Sequence, residues 1–278
     1  MHSSRVRMAR GEFRKCRMNK LAKLSVPIAI AALAAAWGVF ASALPQPQAY
    51  HLFADARDFL SITNAGDTLS SLAFLLGGAL GLAFLWREHA AGTKERFASG
   101  AEMRPWWVFF AGVTLTSFGS GYYHLAPDDV RLAWDRLPMT IGFMSLVAAV
   151  VSERISIRAG SQLLWPLVML GLASVAYWRL SALFGFENLR PYLALQFGSI
   201  GVVLAISILY RSRYTRGGAI FALAAAYVIA KVFESFDHEI FALGHWLSGH
   251  TLKHLTAAAG IFFLLWGLQR RTLRQIEK

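Results

Sequence analysis

The stretch that decides the fold is residues 192–211, which read YLALQFGSIGVVLAISILYR. Its only charge is the final arginine, and about twenty apolar residues are what a helix needs to cross roughly 30 Å of hydrocarbon. Similar runs recur along the chain. They predict eight spans, at residues 25–44, 66–86, 106–124, 135–152, 163–184, 192–211, 217–236 and 250–269. We therefore expect an all-α, polytopic membrane protein.

The composition agrees with this fold class. The 278 residues are 56% hydrophobic and 16% charged, with a mean hydropathy of +0.44, which is too apolar for a soluble domain of this length. In a soluble protein the net charge of +12 would suggest nucleic acid, but in a polytopic chain excess Lys and Arg marks cytoplasmic loops. No nucleic-acid partner is expected. Cys16 is the single cysteine, which excludes an internal disulfide and a cysteine-based zinc cage.

Basic residues at the span ends predict the orientation. The predicted N-terminal tail, residues 1–24, carries Arg5, Arg7, Arg10, Arg14, Lys15, Arg17, Lys20 and Lys23. Basic residues recur in every second connection: Arg87, Lys94, Arg96 and Arg104; Arg154 and Arg158; Arg211, Arg213 and Arg216; and, in the tail 270–278, Arg270, Arg271, Arg274 and Lys278. The intervening loops carry Asp128, Asp129, Glu187, Asp237 and Glu239. Both termini are therefore predicted in the cytoplasm, and a bacterial inner membrane suits the pattern.

The first span is predicted to precede a seven-helix core that covers residues 55–269. Ala41-Ser42-Ala43, before Leu44 and Pro45, resembles a cleavage site, so residues 25–44 have an alternative interpretation as a signal peptide. The apolar run is longer than the usual core of a signal peptide, which favours a retained helix. Either interpretation leaves the other seven spans unchanged.

Polar residues gather at one predicted membrane boundary. His250 and His254 are four residues apart, so both imidazoles project from one helix face, as the two histidines of HExxH zinc enzymes do. Ser120 and His124 have the same spacing, and Asp135 opens the next span. By the predicted topology all five lie near the outer face. They can meet if the third, fourth and eighth spans pack together.

These side chains are typical of a metal-dependent hydrolase. Three imidazoles leave the fourth position of tetrahedral Zn²⁺ open to water, and zinc lowers the pKa of that water to roughly 7. Asp135 could carry a proton, while Ser120 could donate a hydrogen bond to a developing oxyanion. Each feature also has a structural explanation: interfacial histidines, a helix cap at Asp135 beside Trp134, and a small-residue packing surface around Ser120. Their occurrence together at one membrane depth favours the metal site.

The order of these five residues resembles the alkaline ceramidase family, a group of seven-helix membrane hydrolases related to the adiponectin receptors and haemolysin-III-like proteins. The resemblance runs from about Asp55 to the end of the chain. The short step from His124 to Asp135, and the segment 64–71 that enters the first core helix, are similar to the ceramidase branch. The resemblance implies a zinc site of His124, His250 and His254. It also implies that Ser120 and Asp135 help to cleave the amide bond of ceramide into a fatty acid and a sphingoid base.

Eukaryotic members of that family carry an acidic calcium-binding segment before the first core helix. The residues here do not match it one for one, but Asp55, Asp58, Asn64 and Asp67 are candidate oxygen ligands for Ca²⁺. The expected partner is a membrane amide lipid such as ceramide. One alternative is a lipid-sensing receptor with a structural zinc ion and little turnover. A proton-coupled transporter fits less well, since it would place charge near the midplane and show repeat symmetry.

Charged residues in and after the seventh span are predicted to have no catalytic role. Lys231 and Glu234 lie three residues apart, and a structural pair is favoured over a proton path. Asp237 and its neighbours in the outer loop could help to order the mouth of the pocket, but a solvated loop is favoured.

Overall fold

The computed structural model describes residues 22–92 and 94–274, and this part of the chain is helical with no strand. The helices are α1 (Ala22–Phe40), α2 (Ala65–Ser70), α3 (Leu72–Ala91), α4 (Gly100–Leu125), α5 (Asp129–Arg154), α6 (Ile157–Leu183), α7 (Arg190–Leu209), α8 (Ala219–Ser235), α9 (Asp237–Ala242) and α10 (Gly249–Arg270). The all-α prediction is confirmed. Most of the predicted basic tail, together with Cys16 and Lys278, lies outside the described residues.

Within the described residues, six segments are long and apolar enough to cross a membrane. They are Ala22–Phe40, Ala65–Ala91, Asp129–Arg154, Ile157–Leu183, Arg190–Leu209 and Gly249–Arg270. The other two predicted spans coincide with α4, where Gly, Ser, Thr, Trp and Tyr lower the hydropathy, and with α8, which has 17 residues. Every predicted span is therefore helical, and the polytopic membrane architecture is confirmed.

Two glycines let helix ends approach closely in two pairs, α4 with α5 and α10 with α8. A Cβ at Gly119 of α4 would lie 2.2 Å from the Trp134 carbonyl oxygen of α5, and one at Gly249 of α10 would lie 2.2 Å from the Phe233 carbonyl oxygen of α8. Such contacts exclude any side chain and are typical of membrane helix packing. The ring of His124 in turn lies 4.8 Å from that of His250 and 5.1 Å from that of His254, so the end of α4 and the starts of α5 and α10 lie at the same end of the bundle. We call this the histidine end, defined by His124, Asp135, His250 and His254.

The start of α5 corrects one structural interpretation of Asp135. The helix begins at Asp129, and the residue that caps it is Asp128, whose Oδ1 accepts from the Arg131 amide at 2.7 Å. Asp135 lies almost two turns farther along and is buried. It is therefore not the helix cap.

The first helix packs on α7. Cβ atoms built at Gly198 and Gly201 would lie 2.8 and 3.0 Å from side-chain atoms of Ala34 and Ile30. The small residues of α7 therefore allow α1 to pack closely against it. The Arg190 guanidinium also lies 5.0 Å from the centre of the Trp37 ring. This packing agrees with a retained helix, and cleavage after residue 43 stays an untested alternative.

The opposite end of the bundle, which we call the basic end, is defined by Glu102, Glu153, Arg154, Tyr214 and Arg271. Arg271 was predicted within a basic tail, but it is 3% exposed and donates to Glu153 at 2.8 Å. The chain directly after α10 is therefore folded against the bundle.

Candidate metal centre

The three predicted histidines converge. His124 is the penultimate residue of α4, and His250 and His254 occupy the first two turns of α10. Their candidate ligand nitrogens all lie within 4.8 Å of one another, and the side chains are buried, at 1%, 3% and 3% exposed. These residues could hold one metal ion, so the convergence that the sequence predicted is confirmed.

The nitrogens of His124 fit a bound metal. Both Nδ1 and Nε2 are buried and have no hydrogen-bond partner in the described part of the chain. Leaving a buried polar group unpaired costs about 1–3 kcal/mol, and a metal ion would supply the missing partner. Three neutral imidazoles suit zinc, and they also suit copper, iron or nickel.

A serine of α2 orients His254. The Ser70 hydroxyl lies 2.8 Å from His254 Nδ1 and 3.0 Å from the Asp67 carbonyl oxygen. The hydroxyl has one proton, so both hydrogen bonds form when it donates to Asp67 and accepts from a protonated Nδ1. In that tautomer Nε2 of His254 keeps its electron pair, as a metal ligand requires.

His250 has a cationic neighbour. The Lys253 ammonium lies 2.9 Å from His250 Nε2 and 2.8 Å from Glu234 Oε1. An ammonium can only donate hydrogen bonds, so Lys253 donates to the electron pair of His250 Nε2. A metal ion would therefore bind His250 through Nδ1, or the ammonium would turn away toward Glu234. The backbone of His250 is fixed because its amide donates to Asp237 Oδ1 at 2.7 Å.

The two predicted catalytic residues lie at one cavity. The Ser120 hydroxyl forms a 2.9 Å hydrogen bond with Ser71 Oγ. Asp135 of α5 lies beside the same turn of α4, because a Cβ built at Gly119 would lie 3.1 Å from the Asp135 Cα atom. Ser120, Asp135 and His254 all line a cavity of about 390 Å³. The structure thus brings the predicted hydroxyl and carboxylate to the same cavity as His254, whereas His124 and His250 lie behind its lining.

The cavity has a polar end and an apolar body. Near the histidines it is lined by charged and hydroxyl-bearing side chains, including Tyr50 and Glu234. Farther from them most lining residues are apolar, among them Phe109, Val113, Phe143, Leu146, Val203, Ile220 and Ile261, although Gln196, Ser199 and Tyr227 also line the cavity. Such a lining can receive a long hydrocarbon chain while a polar group stays beside the metal centre.

A connection between α1 and α2 covers the site. This cover segment, residues 41–64, places the Phe53 ring 4.8 Å from that of His124 and 4.6 Å from that of His250. The Tyr50 hydroxyl donates to Glu234 Oε1 at 2.9 Å. Burial raises the pKa of Tyr50 well above its ordinary value, so the hydroxyl keeps its proton. The sequence did not lead us to predict either residue, although two aromatic residues so close together in a predicted outer loop could have indicated a loop that packs on the site.

The candidate calcium ligands make contacts within the protein. Arg57 donates to both oxygens of Asp55, at 2.7 and 2.8 Å, and this hydrogen bonding lowers the pKa of that carboxyl. Asp58 is exposed, and the Asn64 amide donates to the His124 carbonyl oxygen at 2.8 Å. Among the described His, Cys, Asp and Glu residues, the histidine triad is the one group of three with metal-ligand spacing. Calcium binding stays a prediction.

Asp67, the fourth candidate, supports the start of α10. Its Oδ1 accepts from Thr251 Oγ1 at 2.7 Å and from Ser248 Oγ at 3.0 Å. Asn64 and Asp67 therefore hold the two chain segments that carry the histidines.

Two further acidic residues have a different place from the one expected. Lys231 and Glu234 do form an ion pair, but Glu234 also binds Lys253 and Tyr50 and so belongs to the polar end of the cavity. Asp237 was expected in a solvated loop, and this is wrong. It is 8% exposed, and its carboxylate accepts from the amides of Ala54 and His250. No periodicity in the sequence signals such loop-to-helix contacts.

Comparison of the chain with protein-family models and with curated protein sequences finds no match.

Proposed function

We propose that the protein is a zinc-dependent hydrolase that cleaves the amide bond of ceramide-like lipids within the membrane. The observation that carries the proposal is the buried triad of His124, His250 and His254 beside a cavity that Ser120 and Asp135 line. Its volume of about 390 Å³ lies within the range of small-molecule sites. The resemblance to alkaline ceramidases supports the choice of substrate.

Zinc, when bound by the three imidazoles, would polarise the amide carbonyl and make a water molecule more acidic. The apolar body of the cavity would bind the acyl chain and hold the carbonyl at the histidine end. Ser120 would donate a hydrogen bond to the carbonyl oxygen as negative charge develops on it. Asp135 would take a proton from the attacking water and deliver it to the amide nitrogen. A C–O bond forms and the C–N bond breaks, which gives a fatty acid and a free amine.

The proposal includes an orientation. The histidine end and the basic end lie at opposite ends of α4, α5 and α10. By the positive-inside rule the basic end would face the cytoplasm, so the site would open toward the outer face, and in a bacterial inner membrane this is the periplasmic side. Substrate would then enter from the outer leaflet.

The test is fatty acid release by the purified, zinc-loaded protein from a panel of ceramides. We expect turnover by the wild type and its loss in His250→Ala. Asp135→Asn should lower the rate by about 10²–10⁴-fold, the usual contribution of a general acid and base. Asp129→Asn is the matched control, since Asp129 is at the same end of α5 but binds His51 and Gln48. If the wild type holds one zinc ion and releases no fatty acid from any amide lipid, the hydrolase proposal is wrong and the receptor alternative gains.

A further inference from the structure

The polar end of the cavity carries more positive than negative charge. Its lining residues include three cations, Arg136, Lys231 and Lys253, and two carboxylates, Asp135 and Glu234. Both lysines pair with Glu234. Uncompensated charge at membrane depth is costly, so an anionic group in the cavity would be favourable.

Arg136 is the one of these three cations that forms no salt bridge with a described carboxylate. It is 5% exposed, and its Nη2 donates to Gln46 Oε1 at 2.7 Å. The guanidinium carbon lies 4.5 Å from the Trp178 ring centre and 4.9 Å from that of Tyr192. Its Nη1 is buried and has no hydrogen-bond acceptor among residues 22–92 and 94–274. Aromatic rings therefore fix the orientation of a guanidinium that retains an unused donor.

The buried arginine Arg271 at the basic end has a carboxylate partner, Glu153, at 2.8 Å. Arg136 is held by a neutral amide and by aromatic faces instead. A planar guanidinium binds a carboxylate or a phosphate through two parallel N–H bonds, and such charge-assisted bonds are stronger than neutral ones. Because Arg136 forms no salt bridge with a carboxylate of the described residues, an anionic ligand could pair with it.

We infer that Arg136 binds an anionic group on the amine half of the substrate. This inference rests on the proposed amide hydrolysis and narrows its substrate class to acidic amide lipids. Arg136 directly follows Asp135, and both line the cavity. A lipid whose amide nitrogen faces Asp135 therefore has its amine half beside Arg136, while its acyl chain occupies the apolar body. The anion is the carboxylate of an N-acyl amino acid or the phosphate of a phosphorylated ceramide.

The test uses pairs of substrates that differ in charge and share one acyl chain. One pair is ceramide 1-phosphate and ceramide, and the other is N-palmitoylglycine and N-palmitoylethanolamine. We expect the zinc-loaded protein in neutral detergent to cleave the anionic member of at least one pair with kcat/KM at least about tenfold higher. The pair that shows the preference identifies phosphate or carboxylate as the anion. Equal rates within both pairs would overturn the inference and leave the proposed hydrolysis intact.

Arg136→Gln should bring the ratio within that pair close to one, mainly through KM of the anionic lipid. Arg179→Gln is the matched control, because Arg179 also lies over the Trp178 ring, at 5.2 Å, and is outside the cavity lining. A merely structural role for Arg136 would lower both rates alike and keep the ratio, which contradicts the inference. If Arg136→Gln does not fold, Arg136→Lys is measured in its place. It keeps the positive charge but loses the two parallel N–H donors, so it should still reduce the ratio of kcat/KM between the anionic and neutral lipids.

Binding separates failure of the inference from failure of the proposed function. Dissociation constants of the same lipid pairs are measured with the zinc-loaded Asp135→Asn protein, whose turnover should be at least about 100-fold slower than that of the wild type. Tighter binding of the anionic lipid, lost on adding Arg136→Gln, supports the anion site even if no lipid is hydrolysed by the wild type. Equal binding of both lipids in each pair contradicts the anion site whatever the rate of hydrolysis.

Discussion

The two ends of the bundle both bury polar side chains, but they satisfy them differently. At the basic end Glu153 meets Arg271 at 2.8 Å and the Tyr214 hydroxyl donates to Glu102 at 2.6 Å. At the histidine end three imidazoles face one another, and neither nitrogen of His124 has a partner among the described residues. The charged groups of the basic end lie beside opposite charges of the described chain, whereas the histidine end has the spacing to hold a metal ion.

This difference separates structural clusters from candidate sites. Arg154 at the basic end donates to the carbonyl oxygens of Ser207, Tyr210 and Gly217, so it joins three segments of backbone. Such a network stabilises the fold. Arg154 Nε and Glu102 Oε1 have no hydrogen-bond partner in the described part of the chain, but each lies near an opposite charge, at 3.7 and 3.8 Å. An unpaired buried atom is therefore not enough to mark a candidate site. What distinguishes the histidine end is that three buried imidazoles converge within metal-ligand spacing.

The largest expected effect is the loss of metal when the histidine end is changed. His124→Ala should weaken zinc binding by at least about 1000-fold, because removal of an outer partner of a ligand alone costs 10–100-fold. Zinc content per protein is measured by elemental mass spectrometry after equilibration with a chelator. Tyr214→Phe, at the basic end, is the control and should keep the wild-type zinc content. Unchanged zinc affinity in His124→Ala would show that the histidines do not share one ion.

The second effect is on stability and belongs to the basic end. Arg271→Ala leaves the buried Glu153 without its closest cation, which should lower the free energy of unfolding by about 2–3 kcal/mol. We expect less than the full cost of a broken buried pair, since Ser212 and Arg154 still face Glu153. Denaturant unfolding in detergent measures the change.

The neighbouring residue provides the control for that experiment. Arg270 is exposed, so Arg270→Ala should change stability by no more than about 0.5 kcal/mol. Zinc content should be normal in both variants. Loss of zinc in Arg271→Ala at a temperature where the protein is folded would contradict the separation of the two ends.

The sequence predicted what local geometry determines. Four-residue spacing places His250 and His254 on one face of α10 whatever the rest of the fold does, and twenty-residue apolar runs predict the spans. The partners of the histidines could not be predicted. Ser70 reaches His254 across 184 positions of sequence, and Phe53 reaches the site from a loop. Such contacts depend on how the helices pack, and the hydrophobic periodicity of the sequence does not predict that packing.

The smallest expected effect distinguishes two adjacent serines at the histidine end. Ser70 contacts His254 Nδ1 at 2.8 Å, whereas Ser71 contacts Ser120 at 2.9 Å. Ser70→Ala should therefore weaken zinc binding by about tenfold, the lower limit for loss of an outer partner, since His254 loses the group that sets its tautomer. Ser71→Ala should leave zinc affinity unchanged. Competition with a chromogenic chelator measures both constants, and equal affinities in the two variants would show that Ser70 does not orient the ligand.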